Sequence, residues 1–200
     1  AGMNRYAWNL RWESPVKIPG AFYVGAGPRG PLALPGKYTA KLTVGTQSHS
    51  QTFEIVNDPR MKGLSQGDLV KQSELLMQIR DANTELHRAV NQIRDLRTEI
   101  KTLHQRFDSE AKFKPVLDQA DALDKKMTPV EEQLIQVNMK GSEANLAFPN
   151  MLNEAFDSFG GGVEAGDGAP TQQHHEIFKL LRGQLDEQLV AWKRILSADV

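Results

Sequence analysis

The sequence predicts an α+β protein: a partial antiparallel β-sandwich over residues 1–60, then an up-down helical bundle with one long helix over 61–200. Three observations carry this. Leu75, Ile79, Ala82, Leu86, Ala89, Ile93, Leu96, Ile100, Leu103 and Phe107 recur at steps of four and three without a slip. That is the seam of a helix, not the two-residue repeat of a strand. Upstream, "NRYAWNLRW", "GKYTAKLTV" and "SQTFEIV" alternate apolar and polar positions, the pattern of half-buried strands. Between the two regions stands Asp58-Pro59-Arg60, where proline cannot continue a β-ladder.

In the first expected strand Tyr6, Trp8, Leu10 and Trp12 share a face. In the second, Tyr38, Ala40, Leu42 and Val44 point inward, and a turn at Gly45-Thr46 returns the chain through Phe53 and Ile55, making an antiparallel hairpin. Residues 13–36 between them hold too much Pro and Gly for regular structure, and Phe22, Tyr23 and Leu32 are expected to tuck against the sheet. Three strands make a thin sheet where a sandwich has about seven. The chain also opens on Ala1 without an initiator Met. Ala1 is therefore expected to lie inside a longer polypeptide whose earlier strands complete the sandwich, with the Trp8 face or a strand edge left for the helices or a second copy to cover.

Ser65 caps the long helix, and Asp68 complements its N-terminal dipole. Arg80, Asp81, Glu85, Arg88, Arg94, Asp95, Glu99 and Lys101 read as its solvated face. A second helix from Pro115 carries Val116, Ala120, Leu123, Met127, Val130, Leu134 and Val137 in the same 4-3 phase. That phase runs through Thr128-Pro129, so a kinked or briefly interrupted helix is expected, antiparallel to the C-terminal half of the first. A short helix with Pro149 in its first turn and an apolar face of Phe148, Leu152, Phe156 and Phe159 is expected over the N-terminal half. "GGGVEAGDGAP" reads as a flexible loop. Thr171 caps a last helix to about Ser197, with Ile177, Phe178, Leu181, Leu185, Leu189, Trp192, Ile195 and Leu196 inward.

Composition excludes several classes. Net charge is −1 with neither sign concentrated, so no nucleic-acid footprint is expected. No apolar run reaches the roughly 18 residues of a membrane span, and the first residues do not form a signal peptide. With no cysteine, disulfides and thiolate chemistry are excluded. The histidines do not make a metal set: His49 stands alone, His87 and His104 are far apart, and His174-His175-Glu176 splay around a helix. Residues 160–168, with Asp157, Glu164 and Asp167 nearby, lack both a phosphate-loop Lys-Ser/Thr and EF-hand spacing. Asp95 and Glu99 have the spacing of a carboxylate pair but sit on the outer face of a rod. No G-x-S-x-G elbow occurs. No catalytic, cofactor-binding or metal-ligating residue is assigned, and no cofactor is expected.

"GMNRYAWNLRW", "PLALPGKYTAKLTV" and "NDPR" together resemble the closing Ig-like segment of bacterial exoproteins with sortilin-type or BNR-repeat β-propellers, often labelled glycosyl hydrolase. Their usual G-x-N-R-x-x-W-D-L-R has Asn9 here in place of the Asp. "AVNQIRDLR", "NLAFPNMLN" and "GDGAPT" resemble the helical tail that follows. "PGKYTAKLTV" is also similar to the Ig-like segment of flagellar hook-capping proteins. The resemblance implies a partial Ig-like domain and a bundle from the C-terminal region of a secreted or periplasmic protein. It implies a non-catalytic structural or interaction module whose partners are the parent's β-propeller and, as a homo-oligomer, a second copy. It also leaves two alternatives: an accessory part of a glycoside hydrolase whose loop at 21–35 lines a propeller cleft, and a hook-capping-like scaffold.

Overall fold

The computed structural model describes residues 2–23, 27–61, 63–141, 143, 146–166 and 168–199. Two strands, β1 (Gly36–Val44) and β2 (Gln47–Ile55), are followed by α1 (Gln66–Phe107), a 3-10 turn (Ala111–Phe113), α2 (Lys114–Leu134), α3 (Leu152–Glu164) and α4 (Gln172–Asp199).

The 42-residue α1 is the axis. Ser65 Oγ accepts the Asp68 N–H at 3.1 Å, which satisfies one of the donors a helix start leaves open. Leu75, Ile79, Ala82, Leu86, Ala89 and Ile93 are buried as their spacing predicts, and Leu96 and Ile100 pack at the core margin. The covered stripe is wider than the seam, because Leu76, Asn83, His87 and Val90 are buried too.

Polar contacts give the direction of every neighbour. Along the C-terminal half of α1, His104 meets Asp121, Arg97 meets Asp124 and Thr128, and Arg94 meets Glu131. Rising numbers on one helix meet falling numbers on the other, so α2 is antiparallel, as expected. Along the N-terminal half, His87 meets Asn153, Ile79 lies against Gly160, and Gln72 Nε2 donates to the Val163 carbonyl at 2.9 Å. Hence α3 is antiparallel as well, and α2 and α3 cover α1 one after the other. Arg182 on Glu85 and Trp192 on Gln92 show that α4 runs parallel to α1. The bundle is thus up-down-up, its middle arm broken by a connection in which Ile135 and Met139 are buried.

Several expectations are corrected. The brief interruption expected at Pro129 does not occur, and α2 is one helix across it. An interior proline costs about 3 kcal/mol, but Val130, Glu131 and Leu134 just beyond it are buried and hold the helix on α1. Val116 is exposed and Leu117 takes its place in the interior. α3 begins at Leu152 and not at Pro149, because the Glu154 carboxylate reaches back to the Met151 N–H at 2.9 Å and fixes the start there. Phe148 is correspondingly exposed. α3 also continues through Gly160-Gly161-Gly162, part of the expected flexible loop, because Val163 beyond them is buried. On α4, Ile177 is exposed, while Leu185 and Trp192 are buried.

The β region departs most. The sheet has two strands, Tyr38 pairing with Phe53 and Val44 with Gln47 around the expected turn; the described residues show no sandwich. Residues 2–9 have no regular structure, and the expected first strand is reduced to one bridge between Arg11 and Leu32. Leu10 has φ +59°, a conformation outside any strand. Trp8 lies over the Tyr38 and Phe53 rings of the hairpin, but residues 11–23 and 27–35 leave the sheet and form a strap over the helices. Ile18 is in the bundle core, Asn91 Nδ2 donates to the Lys17 carbonyl at 3.0 Å, and Tyr23 lies beside the His87 ring. Phe22 and Leu32 remain exposed. Gly30 lets the strap close on itself, since a Cβ there would fall 2.0 Å from the Trp12 carbonyl oxygen.

Candidate functional site

Two polar clusters lie where the strap crosses α1 and α3. In the first, His87 is fully buried. Its Nδ1 faces the Val16 carbonyl, and its Nε2 lies 2.6 Å from Asn153 Oδ1. Asn153 Nδ2 donates to Glu154 Oε1 at 3.1 Å, and Glu154 is the residue that fixes the start of α3. The chain strap–His87–Asn153–Glu154 joins three parts of the fold through polar contacts, which is the work of a structural network.

The second cluster lines a cleft of about 170 Å³ between strap, α1 and α3. Arg11 reaches it from the strap and grips Glu164 with two parallel hydrogen bonds of 2.7 and 3.0 Å, the geometry that makes arginine–carboxylate pairs strong. Arg80 enters from α1 but is held by Asp81 at 2.6 Å. Asn83, almost wholly buried, leaves its Oδ1 without a donor. Asp157 projects from α3 and makes no hydrogen bond among the described residues. Burial pushes its carboxyl up to about 6; Arg29 across the cleft pulls it down, and Glu154 adds to the rise.

That rise is a statement about stability. The unfolded carboxyl ionises near 3.9. Below that pH both states hold the proton and Asp157 has no effect. As pH climbs to about 6 the unfolded chain releases its proton while the fold retains it, so stability falls, and above about 6 the loss is complete. After discounting for the side chain's partial exposure, the loss is roughly 1–2 kcal/mol. Asp157→Asn should therefore raise the urea midpoint at pH 7.5 and leave it unchanged at pH 3.5. An equal gain at both pH values would mean that charge is not the cause.

The other residues weighed from the sequence are scattered. His49 is exposed on β2 opposite Leu42. His104 pairs with Asp121 and Asp108 at the far end of α1. His174 lies against the Phe159 ring beside the Thr171 cap, and His175 is exposed. Asp95 and Glu99 are exposed on α1. Asp167 lies outside the described residues. Among the described residues no three His, Asp or Glu side chains converge as a metal set, and no helix is long and apolar enough to cross a membrane.

Family models, curated proteins and solved structures offer no match to this chain. The site is therefore read from its own geometry. Sequence reasoning weighed Asp157 and Glu164 only as loop carboxylates and passed over Arg11, Arg29 and Asn83, which reach the cleft from segments far apart in the chain. One signal was available: Val163 continues the four-three spacing of Leu152, Phe156 and Phe159 across the glycines, which places Glu164 on a helix next to the core.

Proposed function

We propose that this chain is a non-catalytic structural and interaction module from the C-terminal region of a secreted or periplasmic β-propeller protein, and that its hairpin docks on the propeller. The observation that carries the reading is the hairpin's half-covered apolar face. Trp8 lies over the Tyr38 and Phe53 rings at its base, with ring centroids 5.7 and 6.2 Å away. Towards the turn that cover ends, and Leu42 and Val44 are 63% and 67% exposed. A lone two-stranded hairpin is marginal in water, and both strands keep an edge of unpaired backbone groups. A β-rich partner supplies what such a surface lacks: apolar contact on the face and hydrogen bonds along an edge.

The bundle supports the same reading. The α1 seam from Leu75 to Ile93 is covered by the bundle's own helices, so that seam is not the docking surface. The test is binding of the purified chain to the separately expressed propeller of its parent protein. The unmodified chain should bind. Leu42→Lys with Val44→Lys should weaken binding at least tenfold while leaving the melting temperature of the bundle within a few degrees. No binding by the unmodified chain, or equal binding by the double variant, removes the proposal.

A further inference from the structure

We propose that the cleft between strap, α1 and α3 binds a small zwitterion, an α-amino acid with a short side chain, its ammonium on the Asp157 carboxylate and its carboxylate on the Arg29 guanidinium. The argument begins with which charges in the cleft are already used. Arg11 and Glu164 neutralise each other through two hydrogen bonds, and Arg80 is taken by Asp81. What remains is one negative and one positive group on opposite walls, Asp157 on α3 and Arg29 on the strap. They attract across the gap, yet neither hydrogen-bonds to the other or to any other described residue.

The chemistry of an occupant follows from that pair. A simple anion on Arg29 would face the Asp157 carboxylate, and a simple cation on Asp157 would face the Arg29 guanidinium. A neutral molecule would leave both charges unmatched. A molecule carrying both charges a few ångströms apart matches both. Asn83 adds to the demand for donors on the same side, since its buried Oδ1 has none, and an ammonium supplies three.

Size favours a short side chain. A cavity of about 150 Å³ holds benzene, and this cleft is about 170 Å³, so glycine, alanine and serine fit within it. Ile79, Phe156 and Pro28 give the apolar part of the wall. The fold also gives up stability to keep Asp157 ionised at neutral pH, as argued above. Asp157 is half-buried and Arg29 exposed, but Asn83 Oδ1 is a buried polar atom without a partner, which calls for an explanation, and a ligand is one.

The test is calorimetric titration of the full chain at pH 7.5 with glycine, L-alanine and L-serine, using propionate and ethylamine as single-charge controls. At least one amino acid should bind saturably, with both controls at least tenfold weaker. Asp157→Asn and Arg29→Gln should each weaken it at least tenfold, and Asp95→Asn, exposed on the outer face of α1, should leave it unchanged. Circular dichroism and melting temperature confirm that the variants are folded, and Asp157→Asn is expected to be the more stable protein. The proposal is overturned if none of the three binds, if propionate or ethylamine matches the amino acid, or if binding survives either substitution.

Discussion

Phe156→Ala should lower the unfolding free energy by about 3–5 kcal/mol, the range for removing a fully buried aromatic ring. Phe156 has no exposed surface and sits in the cluster with Leu76, Ile79 and Ile93 of α1. The upper part of the range is expected because α3 depends on its apolar face, its polar ties being Arg11–Glu164, Gln72–Val163 and His87–Asn153. It is a 13-residue helix with three consecutive glycines. Each glycine costs about 1 kcal/mol relative to alanine, and isolated helices this short are marginal even with good sequences. Burial of Leu152, Phe156 and Val163 is what stabilises it. Loss of the ring should therefore loosen α3 as a unit, releasing the Arg11–Glu164 grip and with it the strap. Urea denaturation measures the total. Hydrogen exchange separates the parts: amides of 152–164 should lose protection before those of α1. A loss below about 1 kcal/mol would show that the void closes over and that α3 is held from elsewhere.

The same balance explains which features were legible in the sequence. α1 could be read because its signal is local and repeated: every turn offers the same apolar spacing, and no single contact decides it. The hairpin could be read because its turn is local too. The strap could not. Trp8 and Trp12 alternate with polar residues as a strand would, yet what fixes this segment is Arg11 meeting Glu164, 153 positions away, and Val16 meeting His87. No window of sequence contains either pair. The glycines after Phe159 failed for a related reason. Propensity favours a loop there, and tertiary burial of Val163 overrides it. The cleft inherits both difficulties, since its walls are the strap and the glycine-bearing end of α3.

Glu131→Ala should cost about 3 kcal/mol, at the low end of what breaking a buried ion pair costs, although the residue lies in a helix that alanine favours. The side chain is 2% exposed. Its Oε1 accepts from Arg94 Nε at 2.8 Å, and its Oε2 accepts from Arg97 Nη1. Arg94 was expected on the solvated face of α1, and this carboxylate is what draws it in. Arg97 continues the network to Asp124 Oδ1 at 2.5 Å and Thr128 Oγ1 at 2.9 Å. Burial alone would lower the Arg97 pKa, but the Asp124 and Glu131 carboxylates outweigh it and hold the group above its ordinary value. Removing Glu131 leaves two half-buried guanidinium groups facing each other with one carboxylate between them. It also removes the anchor two residues beyond Pro129, where α2 lacks a backbone donor. Two measurements separate this account from simple loss of packing. In a double-mutant cycle Glu131→Ala and Arg97→Ala should be strongly non-additive, because each already abolishes the contact the other removes. Raising salt to 0.5 M should change the effect of Glu131→Ala little, since a buried pair is poorly screened. For the exposed pair Lys114–Asp118, any stabilisation should largely disappear at that salt concentration. Additive substitutions, or a loss that vanishes with salt, would show that this network lies on the surface of the bundle and does not lock α2 to α1.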